Sequence, residues 1–257
     1  MQLKNKGKII TITSTKGGVG KTITTLFLAG VYSLLQKKVL IIDLDVYSGD
    51  IATFVNSTNE KTIFNVIEDF TNNRYEKIDD YIFQYNENIS CIAAPKDPRF
   101  ANKIDSKYIP IILENVIYRY DVILIDTCHT LNTLNIITLD NSDSILYIFT
   151  NDSFDLKSTR SFMSIVKDVG MDNVYTMLNE SIDTEKGYYS LYDIRTITKS
   201  NVDFTLSKNF HVKNIDKYIV DGEIFTLTTK LGLLNGKEGK NFVKLAETLI
   251  EDKKEVK

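Results

Sequence analysis

Ser14-Thr15-Lys16-Gly17-Gly18-Val19-Gly20-Lys21-Thr22 is the stretch whose reading decides the fold. It follows Ile9-Ile10-Thr11-Ile12, a short apolar run that reads as a β-strand, and it leads into residues 23–35, which read as a helix opened by Ile23. A strand, a glycine-rich turn ending in Lys-Thr and then a helix is the setting of a phosphate-binding loop. Glycines without Cβ let successive backbone N–H groups converge on a phosphate oxygen. The helix start adds its own unpaired N–H groups and the positive end of its dipole. Residues 16–23 would therefore cradle phosphate, with Lys21 reaching the β- and γ-phosphates and the Thr22 hydroxyl ligating Mg²⁺. The generic pattern G-x-x-x-x-G-K-[ST] is met at Gly20-Lys21-Thr22, but its first glycine position holds Thr15. The bland alternative, a glycine-rich turn without a ligand, does not account for the strand before it and the helix after it.

Working outward, Lys38-Val39-Leu40-Ile41-Ile42-Asp43-Leu44-Asp45 reads as a second strand. Its unbroken apolar run predicts a parallel strand covered on both faces. Asp43 and Asp45 lie two apart, so on extended chain they face the same way. The alternative is a pair of strand-end carboxylates capping the next turn. Tyr120-Asp121-Val122-Ile123-Leu124-Ile125-Asp126-Thr127 is the second anchor, an apolar strand ending in an aspartate. Behind a phosphate loop this is the Walker B arrangement, with Asp126 holding Mg²⁺ through a water.

Between and beyond these anchors, strands alternate with helices. Helices are expected over residues 62–70, 106–120, 156–169, 187–198 and 240–251, with short ones after residue 46 and between residues 72 and 87. Asp50 is expected to cap the first of the short ones. Further strands are expected at residues 89–94, 143–150, 173–178 and 204–206, and residues 209–221 and 231–239 read as weakly marked connections. This order predicts an α/β fold with a doubly wound, mostly parallel sheet, as one domain over residues 1–257. The 257 residues suffice for a full core, and 43% hydrophobic and 25% charged content are ordinary for a globular chain. A net charge of −3 gives no global basic field for nucleic acid. Cys91 and Cys128 stand in no metal-ligand spacing and read as buried thiols in a reducing compartment. The polar start has no apolar core of a signal peptide, and no apolar run reaches membrane-span length. The last helix has an apolar face that reads as packing into the fold, with membrane binding as the alternative.

The loop closely resembles the deviant Walker A motif K-G-G-V-G-K-T of the MinD/ParA ATPases, and the resemblance extends over the whole chain. It implies binding of ATP and ADP with Mg²⁺, slow hydrolysis, and a homodimer formed with ATP. In that family the first lysine, matched by Lys16, crosses to the partner's nucleotide. The second aspartate of D-x-D, matched by Asp45, positions the attacking water, and Asp43 stands near the metal with Thr22 and Asp126. An asparagine that reads the adenine edge is matched by Asn179, for which a strand-end turn is an equal reading. Cys128-His129-Thr130-Leu131 would be switch II. The family more often has Pro or Gly there, and His129 reads either as a nucleotide or partner contact or as a loop residue.

Within the family, Asp43-Leu44-Asp45-Val46-Tyr47-Ser48-Gly49-Asp50-Ile51-Ala52, Ala93-Ala94-Pro95-Lys96-Asp97-Pro98 and Asp126-Thr127-Cys128-His129 resemble the TadZ/CpaE pilus-assembly branch. Many of that group carry a receiver-like domain before the ATPase, so this chain would correspond to the ATPase part. The branch implies pilus-assembly or polar-localisation partners and a cytoplasmic protein held at a cell pole or the inner membrane face through them. ParA-like DNA partitioning, MinD-like division-site or flagellar positioning, and a nucleotide-binding polar scaffold with little hydrolysis are the alternatives. For the first, the candidate cations are Lys199, Lys208, Lys213 and Lys217, which are spread among acids.

Overall fold

The structure, a computed structural model, describes residues 5–180, 189–207, 215–228 and 236–251. Strand β1 (Lys8–Thr13) enters the loop, and α1 (Lys21–Leu34) leaves it. There follow β2 (Val39–Leu44), α2 (Ile51–Phe54), α3 (Ile63–Thr71), β3 (Phe83–Gln84), β4 (Ile89–Ile92), α4 (Tyr108–Val116) and β5 (Val122–Thr127). Next come α5 (Thr133–Asp140), β6 (Ser144–Phe149), α6 (Ser153–Asp168), β7 (Val174–Asn179), α7 (Leu191–Thr198) and β8 (Phe204–Leu206). Helices α8 (Ile215–Asp221), α9 (Phe225–Thr228) and α10 (Lys237–Ile250) complete the described chain.

The eight strands lie in the order β3-β4-β2-β5-β1-β6-β7-β8. All pairs are parallel except β3 with β4. Every residue of β2, β5 and β6 is buried, as expected for parallel strands with helices on both faces. On one face, Leu26, Phe27 and Leu28 of α1 share a core with Phe242, Leu245 and Leu249 of α10. On the other, Ile63 and Val66 of α3 and Ile112 and Leu113 of α4 pack on Leu40, Ile42 and Ile123. Beside them, Leu156 and Phe162 of α6 and Ile194 of α7 cover Tyr147 and Phe149. The final helix is thus a packing helix: α10 buries Phe242, Leu245, Ala246 and Leu249, and Ser144 donates to its Leu249 carbonyl at 2.8 Å.

Several expectations change at their edges. Helix α4 is shorter than 106–120, because the chain turns after Val116 to enter β5. Helix α6 starts three residues earlier than expected, since Asp152 accepts hydrogen bonds from the Phe154 and Asp155 N–H groups. Helix α7 begins at Leu191 behind a Ser190/Asp193 capping box. The stretch 72–87 holds one 3₁₀ turn, Ile78–Tyr81, together with the antiparallel edge strand β3, which is too short to show alternation. Helix α5 has no sequence signature, because two of its four buried residues, Asn135 and Thr138, are polar. Asp50 occupies the N-cap position of α2 but makes no cap bond; the buried Asp43 carboxylate takes the Ile51 N–H at 3.2 Å. Residues 187–188, Lys208, Lys213, residues 209–214 and 231–235 of the two connections, and the charged tail 252–257 lie outside the described residues, and the rest of the first connection is the helix α8.

Candidate phosphate and metal site

The C-terminal ends of β1, β2 and β5 meet beneath the glycine loop. Gly20 closes the loop with φ +97°, a left-handed conformation that favours glycine, and a Cβ there would sit 2.7 Å from Asn179 Nδ2. Asn179 Nδ2 donates to the Val19 carbonyl at 2.9 Å, so the end of β7 braces the loop from the side. Ser14 Oγ donates to the Lys16 carbonyl at 2.8 Å and accepts from Lys21 Nζ at 3.2 Å. Lys21 is buried, its chain folded back across the loop. Thr15, the departure from the generic motif, is hydrogen-bonded to the Tyr147 hydroxyl at 2.6 Å. A threonine here gives the loop a side-chain anchor on β6 that glycine lacks.

Below the loop, Thr22 Oγ1 donates to Asp126 Oδ2 at 2.6 Å. Asp126 Oδ1 is buried and has no hydrogen-bond partner among the described residues. Burial raises the Asp126 carboxyl to about 7, against the opposing pull of the Thr22 hydroxyl and Lys21. Asp43 pairs in register with Asp126 across β2 and β5. Burial, and next the charge of Asp126, raise its carboxyl well above the usual range. Its two oxygens accept from the Asp45 N–H at 3.0 Å and the Ile51 N–H at 3.2 Å. Gly49 lies directly over it: a Cβ on Gly49 would fall 2.6 Å from one Asp43 oxygen and 2.4 Å from the Ala94 methyl. Asp43 therefore braces the Asp45–Ile51 loop from beneath. Asp45 is half-buried, and its Oδ1 accepts from Ser48 N and Oγ.

Lys16 stands apart. Its ammonium pairs with Asp152 at 3.1 Å, and both side chains are more than 40% exposed. The Asp155 N–H and then Lys16 hold the Asp152 carboxyl below its usual range. His129 is exposed and lies over the loop, with Nδ1 3.7 Å from where a Gly17 methyl would be. Ser14, Tyr147 and Asp152 are the site neighbours that motif reading missed. Tyr147 and Asp152 lie more than 130 positions from their loop partners, and no local pattern links them.

These residues fit a phosphorylated nucleotide with Mg²⁺. The loop offers backbone N–H groups, an ammonium and a glycine cradle, and the unpartnered Asp126 oxygen beside the Thr22 hydroxyl offers hard oxygen ligands. No cluster of three His, Cys, Asp or Glu side chains forms among the described residues. An Mg²⁺ ion here would be held by one or two protein oxygens, phosphates and waters.

A family model described as an AAA domain matches residues 7–184. The chain is 29% identical over 149 residues to an uncharacterised ATP-binding protein of Methanocaldococcus jannaschii, a match covering 58% of this chain and 55% of that protein. It thus spans about half the length of that relative. It is 28% identical over 199 residues to the sporulation initiation inhibitor protein Soj of Bacillus subtilis, covering 74% of this chain and 75% of Soj. The septum site-determining protein MinD of Pyrococcus horikoshii, solved with Mg-ADP, superposes with a TM-score of 0.77 at 20% identity, covering 95% and 96% of the two chains. With its family model spanning the loop, the metal-side strand and β7, the chain belongs to the AAA domain family and has the fold of the MinD/ParA-type P-loop NTPases.

Proposed function

We propose that this chain binds ATP with Mg²⁺ in the glycine loop, hydrolyses it slowly, and uses the nucleotide state to control pairing of two copies. The observation that carries the reading is the Thr22–Asp126 hydrogen bond at 2.6 Å beneath a loop that already buries Lys21. Lys21 and the N–H groups of residues 17–23 bind and orient the phosphates. Thr22 and Asp126 hold the ion, with Asp43 behind them fixing the Asp45 loop. When bound there, Mg²⁺ would supply positive charge that offsets the negative charge of the phosphates. Asp45 orients the attacking water. Lys16, exposed on the rim, leaves Asp152 and reaches the phosphates bound by the other copy, where its charge offsets that developing on the transferred group. The asparagine at 179, occupied with the loop, braces it and meets the base only with its remaining capacity.

Within this reading, the D-L-D-x-x-x-G-D-x-A stretch from Asp43 favours a role in Flp/Tad-type pilus assembly through polar-localisation partners. The matches to Soj and MinD favour the broader alternative of partitioning or division-site positioning. In this reading the chain is held at the inner membrane face through partners, with any membrane contact of its own peripheral; no helix among the described residues is long and apolar enough to cross a membrane.

The test is sedimentation of the chain alone, with ADP, and as Asp45→Ala with Mg·ATP, alongside phosphate release. A dimer formed only with ATP, and phosphate release abolished by Asp45→Ala, are expected. A dimer in every state, or release equal in both proteins, would replace the switch with a constitutive scaffold. Salt-sensitive retention of DNA by the ATP dimer would move the assignment to partitioning.

A further inference from the structure

Helix α6 separates two unlike grooves. On the α7 side, Arg160 and Lys167 line a polar cleft with Thr198 and Lys199. On the α5 side, Ile136, Leu139, Phe162, Ile165, Val166 and Val169 line an apolar groove of about 770 Å³. Its floor is closed, since Leu139, Phe162 and Val166 are buried. Its walls are open: Ile136 is 48%, Ile165 49% and Val169 62% exposed. Positions 162, 165, 166 and 169 are one i, i+3, i+4, i+7 stripe, so α6 carries a full apolar face that its own chain half covers. Scattered exposed apolar residues are ordinary, but a stripe beside a preformed groove is a recognition feature.

The rim decides what fits. Asp140, Asp143 and Asp172 line it, and among the described residues no lysine, arginine or histidine does. Asp143 accepts the Ile9 N–H at 2.8 Å. Asp140 and Asp172 are exposed, and neither forms an ion pair among the described residues. A two-fold pairing of this face with a second copy would set these acids against one another in a chain that is already net negative. Charge complementarity favours a different occupant.

We infer that the α5–α6 groove is a docking site for an amphipathic helix of a partner protein, with apolar residues at helical spacing and flanking lysines or arginines. The apolar stripe would take the partner's i, i+3 and i+7 side chains, and the acids would select its basic flanks. The groove is lined by the C-terminal half of α6, whereas Lys16 pairs with Asp152 at that helix's N-cap, and the proposed binding needs no nucleotide. It therefore stands whether or not the ATPase reading does.

The test uses the full chain without nucleotide and two fluorescein-labelled helical peptides of equal apolar pattern, one flanked by lysines and one by glutamates. Anisotropy titration should show saturable binding of the lysine peptide and at least about tenfold weaker binding of the glutamate peptide. Ile165→Asp should weaken the lysine peptide by at least about tenfold, with circular dichroism checking that the fold is kept. The exposed pair Asp140→Lys with Asp172→Lys should reverse the preference between peptides. Failure of both peptides to bind, equal binding of the two, or affinity indifferent to these changes would overturn the proposal. So would a nucleotide-free dimer that Ile165→Asp disperses, which would make a second copy the occupant.

Discussion

The floor and the rim of the site hold charge in opposite ways. On the floor, Asp43 and Asp126 lie side by side at the ends of fully buried strands, each bonded to the chain around it. On the rim, Lys16 and Asp152 meet as a half-exposed pair across the mouth of the loop. Burial makes the floor groups costly to disturb and fixes their geometry. Exposure makes the rim pair cheap to break, with a contribution of about 0–1 kcal/mol after screening. A lysine held so lightly can be redeployed, whereas a carboxylate seated under Gly49 cannot move without the loop above it.

The comparison can be broken most strongly through the loop that joins the two regions. Lys21→Ala should weaken ATP binding by roughly a hundredfold, because it removes a charge-assisted contact to phosphate. Calorimetric titration measures it, and unchanged affinity would remove Lys21 from the site. On the floor, Asp43→Ala should cost about 1–3 kcal/mol in urea unfolding, since the buried Ile51 N–H loses its acceptor. A loss as small as that of a surface substitution would show that the floor is not rigid.

A third prediction uses Cys91, beside Asp43 on the neighbouring strand. Burial, and then the Asp43 charge, push its thiol up to about 12. In the unfolded chain the thiol titrates near about 8.5. The stability held by the neutral buried thiol is therefore complete below about pH 8.5 and is lost as pH rises towards 12. Unfolding measured between pH 8 and 11 should fall less steeply in Cys91→Ala than in the parent, and parallel curves would contradict this. The smallest stability change belongs to the rim: Lys16→Ala should shift unfolding by less than about 1 kcal/mol. It should nonetheless abolish dimerisation with ATP in sedimentation. A variant that still dimerises normally would sink the role given to Lys16.

Much of this was legible along the chain, and unevenly so. The glycine loop, β1, β2 and β5 announced themselves because each is a local pattern: an apolar run, a turn of glycines, an aspartate at a strand end. The short β3 and the half-polar α5 left no such pattern. Asp50 looked like a cap because it precedes a helix, but Asp43, eight positions from Ile51, reaches that N–H from below. The family resemblance made Asn179 a candidate base contact, with a strand-end turn as an equal reading, and the fold adds that its amide donates to the Val19 carbonyl.

What could be read without coordinates was chemistry carried by neighbours in the chain: an α/β alternation, a phosphate loop, a D-x-D strand end and an apolar strand closing on Asp126. Their meaning rests on backbone geometry that a few adjacent residues dictate. What needed the folded sheet was the direct contact in each pairing across it: Thr22 on Asp126, whose meeting at a metal the motifs already implied, Thr15 with Tyr147, Lys16 with Asp152, and the groove between α5 and α6. The three side-chain pairs join residues more than 100 positions apart, and the groove depends on the face each helix turns to its neighbour. Parallel strand order and helix packing set such contacts, and neither is written in any local pattern.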